Sequence, residues 1–171
     1  MRGGEQSSPS ALISLLILVL LLAICLGAGG LGSMLTLPSL SPWYADLRKP
    51  SFNPPNSVFA PVWTTLFILM AFSAWRVWRA AFGSGQFQRH GQRAFFWFAV
   101  QLILNVSWSA AFFYLQNPLL GLAVITMLLV VLVKLFVVFI AIDRLAGWLF
   151  VPYIAWVGFA AVLNLSIFLL N

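Results

Sequence analysis

Three stretches of the chain repeat polar or aromatic side chains at helical spacing inside otherwise apolar sequence. Gln101, Asn105, Trp108, Ser109 and Phe112 share one face of a helix, Phe59, Trp63, Phe67 and Met70 form a second stripe, and Pro152, Trp156, Ala160 and Asn164 a third. Amides and a hydroxyl direct hydrogen bonds, while indole and phenyl faces stack on flat conjugated molecules, a contact worth about 0.5–1.5 kcal/mol beyond area burial. Each stripe alone reads as helix packing, because amides and hydroxyls join helices within membranes. Together they point to a mostly apolar ligand cavity with a few directed polar groups. Other chemistry is poorly served. There is no Ser–His–Asp set, carboxylate pair or phosphate loop in these stretches, which excludes a conventional hydrolase. One histidine, His90, and one cysteine, Cys25, give neither a metal site nor a disulfide framework.

The elements that must position these side chains are membrane spans. Only 7% of the 171 residues are charged and 63% are hydrophobic, with a mean hydropathy of +1.03, whereas soluble domains carry roughly 25% charged residues. The apolar runs are too long and continuous for a β-barrel. The expected fold class is an all-α membrane protein, a bundle of five transmembrane helices. Spans are predicted at about 11–31, 58–82, 92–116, 119–142 and 146–170, in a single domain covering 11–171 that follows a polar segment at 1–10. Gly27-Ala28-Gly29 has the small residues of a cleavage region, but Glu5 offsets Arg2, so the first run reads as a span rather than a signal peptide. A long loop covers 32–57. Its prolines at 38, 42, 50, 54 and 55 deny a continuous helix, and Trp43, Tyr44 and Phe52 suit a cap packed onto the bundle.

The net charge is +6, yet so few basic residues on so apolar a chain report membrane orientation rather than a nucleic-acid partner. Arg2, Arg76, Arg79, Arg89, Arg93 and Arg144 fall on the N-terminal side, and Arg48 with Lys49 on the other. This predicts a multi-pass protein of a bacterial cell membrane with a cytoplasmic N-terminus and the first loop and C-terminus outside. Lys134 is expected to snorkel to the inner interface, towards Asp143. Asp143-Arg144 reads as a local pair, and Arg89-His90 as a solvated loop pair rather than a haem ligand. Trp43, Arg48 and Lys49 stand at the loop mouth, where the two cations suit a ligand's carboxylates.

Several motifs in order resemble one family. They are Trp43-Tyr44-Ala45-Asp46-Leu47-Arg48-Lys49-Pro50, then Phe52-Asn53-Pro54-Pro55, then Val58-Phe59-Ala60-Pro61-Val62-Trp63-Thr64. Gln101, Asn105 and Trp108 follow, then Val151-Pro152-Tyr153 with Trp156, and Leu163-Asn164. The chain thus resembles the tryptophan-rich sensory protein family, which includes the bacterial TspO proteins and the mitochondrial translocator protein. The resemblance implies a five-helix bundle, usually a homodimer, whose cavity under the first loop binds tetrapyrroles such as protoporphyrin IX or haem, with no covalent cofactor. It assigns the pocket to Tyr44, Trp63, Phe67, Asn105, Trp108, Ser109, Trp156 and Ala160, with Pro54 and Phe59 completing the lining. It also matches Trp63 and Trp156 to the tryptophans tied to light-dependent porphyrin breakdown. Ser51-Phe52 replaces an aromatic pair, and Phe67 replaces a tyrosine. The C-terminal Leu165-Ser166-Ile167-Phe168-Leu169-Leu170-Asn171 lacks the tyrosine and following cation of a sterol pattern, which argues against sterol binding by that route. Three functions remain open: a porphyrin receptor or sensor, a translocator of tetrapyrroles or other hydrophobic molecules, and a slow light-driven enzyme. The lack of an intramembrane acid chain weighs against a proton-coupled transporter.

Overall fold

Hydrocarbon offers a peptide group no hydrogen-bonding partner, so a chain this apolar must satisfy its backbone internally, and helices do so within one segment. The computed structural model describes residues 10–83 and 88–171; the polar stretch at 1–9, with Arg2 and Glu5, lies outside them. Five helices are present among the described residues: α1 (Ala11–Thr36), α2 (Asn56–Gly83), α3 (Gln88–Ser109), α4 (Pro118–Ile142) and α5 (Arg144–Leu170). All five are long and apolar enough to cross a membrane.

Side-chain caps mark where helices start. Ser10 Oγ accepts from the Ile13 amide at 3.3 Å, Asn117 Oδ1 from Leu120 at 2.9 Å and Asp143 Oδ1 from Ala146 at 2.8 Å. Between α3 and α4 the chain reverses through a π-helical turn, Ala110–Tyr114, and Gln116 in the left-handed region at φ 50°. Asp143 alone separates α4 from α5. These tight connections make α3, α4 and α5 antiparallel neighbours, with α4 packed along both of the others and α1 along α2 and α3. Phe98, Phe139 and Phe150 fill the core where α3, α4 and α5 meet, with Phe139 and Phe150 edge to face at 5.0 Å.

The first loop is shorter than its prolines suggest. Helix α1 continues to Thr36, followed by a 3-10 turn at Leu37–Ser39 and a kinked turn at Leu40–Tyr44 in which Ser41 is extended, leaving the non-helical stretch at 47–55. Pro38 sits in the first turn of its helix, where no amide donor is needed. The glycines of α1 stay helical because no water competes for their backbone.

At the opposite end of the bundle two expected pairings are replaced. Asp143 pairs not with its neighbour Arg144 but with Arg76 of α2, which donates from Nε at 3.1 Å and Nη2 at 2.8 Å. Lys134 does not reach Asp143; its Nζ lies 3.8 Å above the centre of the Trp97 ring on α3, a nearer partner for the cation. Arg89 and His90 belong to the first turn of α3 rather than to a loop.

Candidate functional site: an aromatic cavity under the first loop

Beneath the turns at 37–44 lies a cavity of about 280 Å³ between α1, α2 and α3. Helix α2 supplies Phe59, Trp63 and Phe67, each about one helical turn from the next, and Ala60 beside Phe59. Helix α3 supplies Asn105, Trp108 and Ser109, and its π-helical extension adds Phe113. Gly29, Gly32, Ser33 and Thr36 form the α1 wall, and Leu37, Leu40 and Tyr44 close the roof. The π-helical turn at Ala110–Tyr114 contributes Phe113 to the lining, as such turns often do at functional sites.

The wall is aromatic and its rings are held in place. Trp63 lies 5.8 Å from Phe67 and 6.4 Å from Trp108, its ring tilted 31° and 34° from theirs. Trp108 Nε1 donates to Asn164 Oδ1 at 3.2 Å, and Asn164 Nδ2 donates to the Pro118 carbonyl at 2.7 Å, which ties α3 to α4 and α5. Asn105 is fixed by a second chain: its Nδ2 donates to the Tyr153 hydroxyl at 2.8 Å, which donates to Gln101 Oε1 at 3.0 Å. Gln101 therefore serves the site from below rather than lining it, and its buried Nε2 has no partner among the described residues.

The roof is tied down as well. Tyr44 is buried and donates to Asn53 Oδ1 at 3.2 Å, while Lys49 Nζ sits 4.6 Å above the Tyr44 ring and donates to the Ala45 and Leu47 carbonyls. Trp43 packs edge-on against Phe112 at 5.6 Å. The Arg48 backbone is clasped by Asn171, whose Oδ1 accepts from the Arg48 amide at 3.0 Å and whose Nδ2 donates to its carbonyl at 3.1 Å.

Of the residues expected in the pocket, Tyr44, Phe59, Trp63, Phe67, Asn105, Trp108 and Ser109 line this one cavity. Pro54, Trp156 and Ala160 do not. Tyr153 and Asn164 occupy the space between α5 and the cavity-facing side of α3, so α5 supplies anchors rather than lining. Ala160 is buried in the core. Trp156 lies behind Phe59 at 5.8 Å, facing an outer groove between α2 and α5. Pro54 stays in the loop, its carbonyl accepting from Asn53 Nδ2. Trp43, Arg48 and Lys49 brace the roof and do not line the cavity. The α1 wall was not anticipated. Its signal is the run of small side chains at Gly29, Gly32, Ser33 and Thr36, spaced for one helix face. At Gly29 an added Cβ would stand 2.7 Å from Phe67 Cε2, so only glycine lets α1 lie this close to that ring.

The whole arrangement, from the roof to the anchors on α5 but for the Asn171 clasp, falls within residues 18–170, which match the family model described as TspO/MBR family. The chain belongs to that family. Similar proteins include the tryptophan-rich protein TspO of Chlorobaculum tepidum, 41% identical over 157 residues that cover 92% of this chain and 97% of that one. The tryptophan-rich protein TspO of Archaeoglobus fulgidus is 38% identical, with 93% and 99% covered. The translocator protein of Homo sapiens is 35% identical over 124 residues, 71% of this chain and 70% of the human one. With its five apolar helices, this member of the TspO/MBR family is an integral, multi-pass membrane protein of a sensor and translocator family.

The cavity offers stacking surfaces and fixed dipoles, and few groups for chemistry of its own. Among the described residues no group of three His, Cys, Asp or Glu side chains gathers to hold a metal.

Proposed function

We propose that this family member is a membrane receptor or sensor that takes a porphyrin, protoporphyrin IX or haem, into the cavity under the first loop. The observation that carries this reading is the wall formed by Trp63, Phe67 and Trp108, in which the Trp63 ring lies within about 35° of each of the other two, together with an immobilised Asn105 amide. A flat conjugated macrocycle gains stacking there that a branched apolar molecule of equal area does not. At about 280 Å³ the cavity is just under the roughly 300–1,000 Å³ of ordinary small-molecule sites, so a macrocycle enters by one edge or spreads the walls. Sequestration, delivery or slow light-driven degradation follow from one bound state. An excited porphyrin, or oxygen it sensitises, oxidises a nearby indole; that chemistry is the ligand's, and the protein sets which indole is near. Trp63, in the wall, is the closer candidate, with Trp156 one ring behind it. The distribution of arginines favours a cytoplasmic N-terminus, with the roof on the outer side of a bacterial cell membrane.

Protoporphyrin IX titrated into detergent-solubilised protein is expected to shift its main absorption band saturably, at about one ligand per chain. Trp63→Leu is expected to weaken affinity by about tenfold, for the lost stacking and buried area. Trp156→Phe is expected to change it by no more than about twofold, since residue 156 lies outside the wall. A shift that never saturates, or equal affinity in wild type and Trp63→Leu, would overturn the reading.

A further inference from the structure

A second hollow lies outside the cavity. It is an open groove of about 530 Å³ on the outer side of α2 and α5, bordered by Pro61, Val62 and Leu69 on one helix and Pro152, Ala155 and Trp156 on the other. Its walls are almost wholly apolar, and in a membrane it opens onto lipid. One layer of aromatic rings separates it from the cavity: Phe59 lines the cavity and meets Trp156, which lines the groove, edge to face at 5.8 Å. Pro61 and Pro152 each withdraw a backbone donor from their helix, which loosens α2 and α5 at the level of the groove. Trp156 Nε1 is buried with no hydrogen-bond partner among the described residues. The closed position of this indole therefore carries an unmet donor, and turning outward to meet an acceptor relieves it.

The roof offers no such opening. The Asn171 clasp on Arg48, Lys49 over Tyr44 and Trp43 against Phe112 hold it from three directions.

We propose that the groove is a membrane-side vestibule, a second site through which the cavity's ligand arrives from the bilayer. The occupant is a flat, conjugated, lipid-dissolved molecule with a carbonyl or carboxyl group at its edge. It lodges between Pro61 and Pro152, its oxygen accepts from Trp156 Nε1 as the indole turns, and it passes inward where Phe59 and Trp156 part. This inference rests on the cavity being the ligand's destination.

The test is kinetic, in vesicles that carry the protein and have protoporphyrin IX dissolved in the bilayer. Ala155→Trp fills the groove from an exposed position without touching the cavity; Ala155→Phe serves if the larger residue prevents folding. Association and dissociation are both expected to slow by about tenfold, while the equilibrium constant stays within about twofold, the mark of a blocked passage rather than a damaged site. Asn171→Ala, which releases the roof clasp, is expected to leave both rates unchanged. Wild-type rates in the Ala155 variant overturn the vestibule, whether or not Asn171→Ala accelerates uptake. Equilibrium binding weakened in proportion to the association rate overturns it too, because the groove would then be part of the final site, as would a lipid chain held there permanently and undisplaced by porphyrin. Absence of saturable uptake by the wild type overturns the cavity reading and the vestibule together, which separates that failure from the others.

Discussion

Gly29 shows how a single hydrogen sets the width of the cavity. A methyl at this position would meet Phe67 Cε2 at 2.7 Å, far inside van der Waals contact, and Phe67 is itself part of the wall. Gly29→Ala is expected to leave the protein folded and membrane-inserted, because the ring can turn, but to push Phe67 into the cavity and weaken porphyrin binding by about tenfold. Parallel circular dichroism and absorption titrations check both halves; unchanged affinity would show that the ring retreats elsewhere. At this scale the sequence is legible where a residue announces its own chemistry. Trp63, Asn105 and Trp108 were identifiable because indoles and amides inside spans need partners. Gly29 was not, since a glycine in an apolar helix acquires its meaning only from Phe67, 38 positions away. Tyr153 was visible within a motif, but its hydroxyl's place between Asn105 and Gln101 depends on the register of α5 against α3.

Among the elements, the joint between α2 and the start of α5 concentrates the polar contacts at its end of the bundle. Asp143 caps α5 and receives a two-pronged bond from Arg76, while Ser73 donates to the Ala146 carbonyl at 2.6 Å. Burial raises the Asp143 pKa, but the hydrogen bonds from Arg76 and the Ala146 and Leu145 amides, with the charge of Arg76, outweigh it and leave the carboxyl below its usual range. The folded value is the depressed one. The stabilisation is therefore fully present above the unfolded value of 3.8 and is lost as pH falls through the lower folded value. Asp143→Asn keeps a capping oxygen and loses the charge, so it is expected to cost about 1 kcal/mol at pH 7 and to flatten the acid limb of stability. Denaturant titrations at neutral and acid pH check this; an acid limb as steep as wild type would assign the effect to another group. The five spans were readable from apolar run length, and so were several of their ends, but not the end of α1. Hydrocarbon surroundings carry α1 on to Thr36, through glycines that would fray a helix in water. The partner of Asp143 was misread because sequence proximity favoured Arg144, whereas α2 brings Arg76 within a bidentate grip.

Over the whole molecule, α5 and α4 form the backing against which α1, α2 and α3 enclose the cavity. That placement was hidden in the sequence because a stripe on α5 such as Pro152, Trp156 and Ala160 looks alike whether it faces a hollow, a neighbour or lipid. Only the packing of all five helices decides, and it sends Trp156 to the outer groove and Ala160 to the core. Orientation is a property of the same scale, and charge counting favours the roof on the outer side. Buried Cys25 is expected to react slowly with a membrane-impermeant maleimide. Against that background, cysteine at exposed Asp46 should label from outside intact cells and cysteine at exposed Arg89 only after the membrane is broken; the reverse pattern would invert the topology.

The ammonium of Lys134, resting on Trp97, has a further effect on how the bundle floats. It is an exposed charge part-way along α4, and the basic ends of α2, α3 and α5 stand at the same end of the bundle. Sliding the bundle towards the roof would drag that cation deeper into oil, and sliding it the other way would lift apolar helix ends into water. Lys134 thus acts as a draught mark: it opposes drift of the waterline of the bundle, so a bilayer that thickens or thins is expected to adjust around that line.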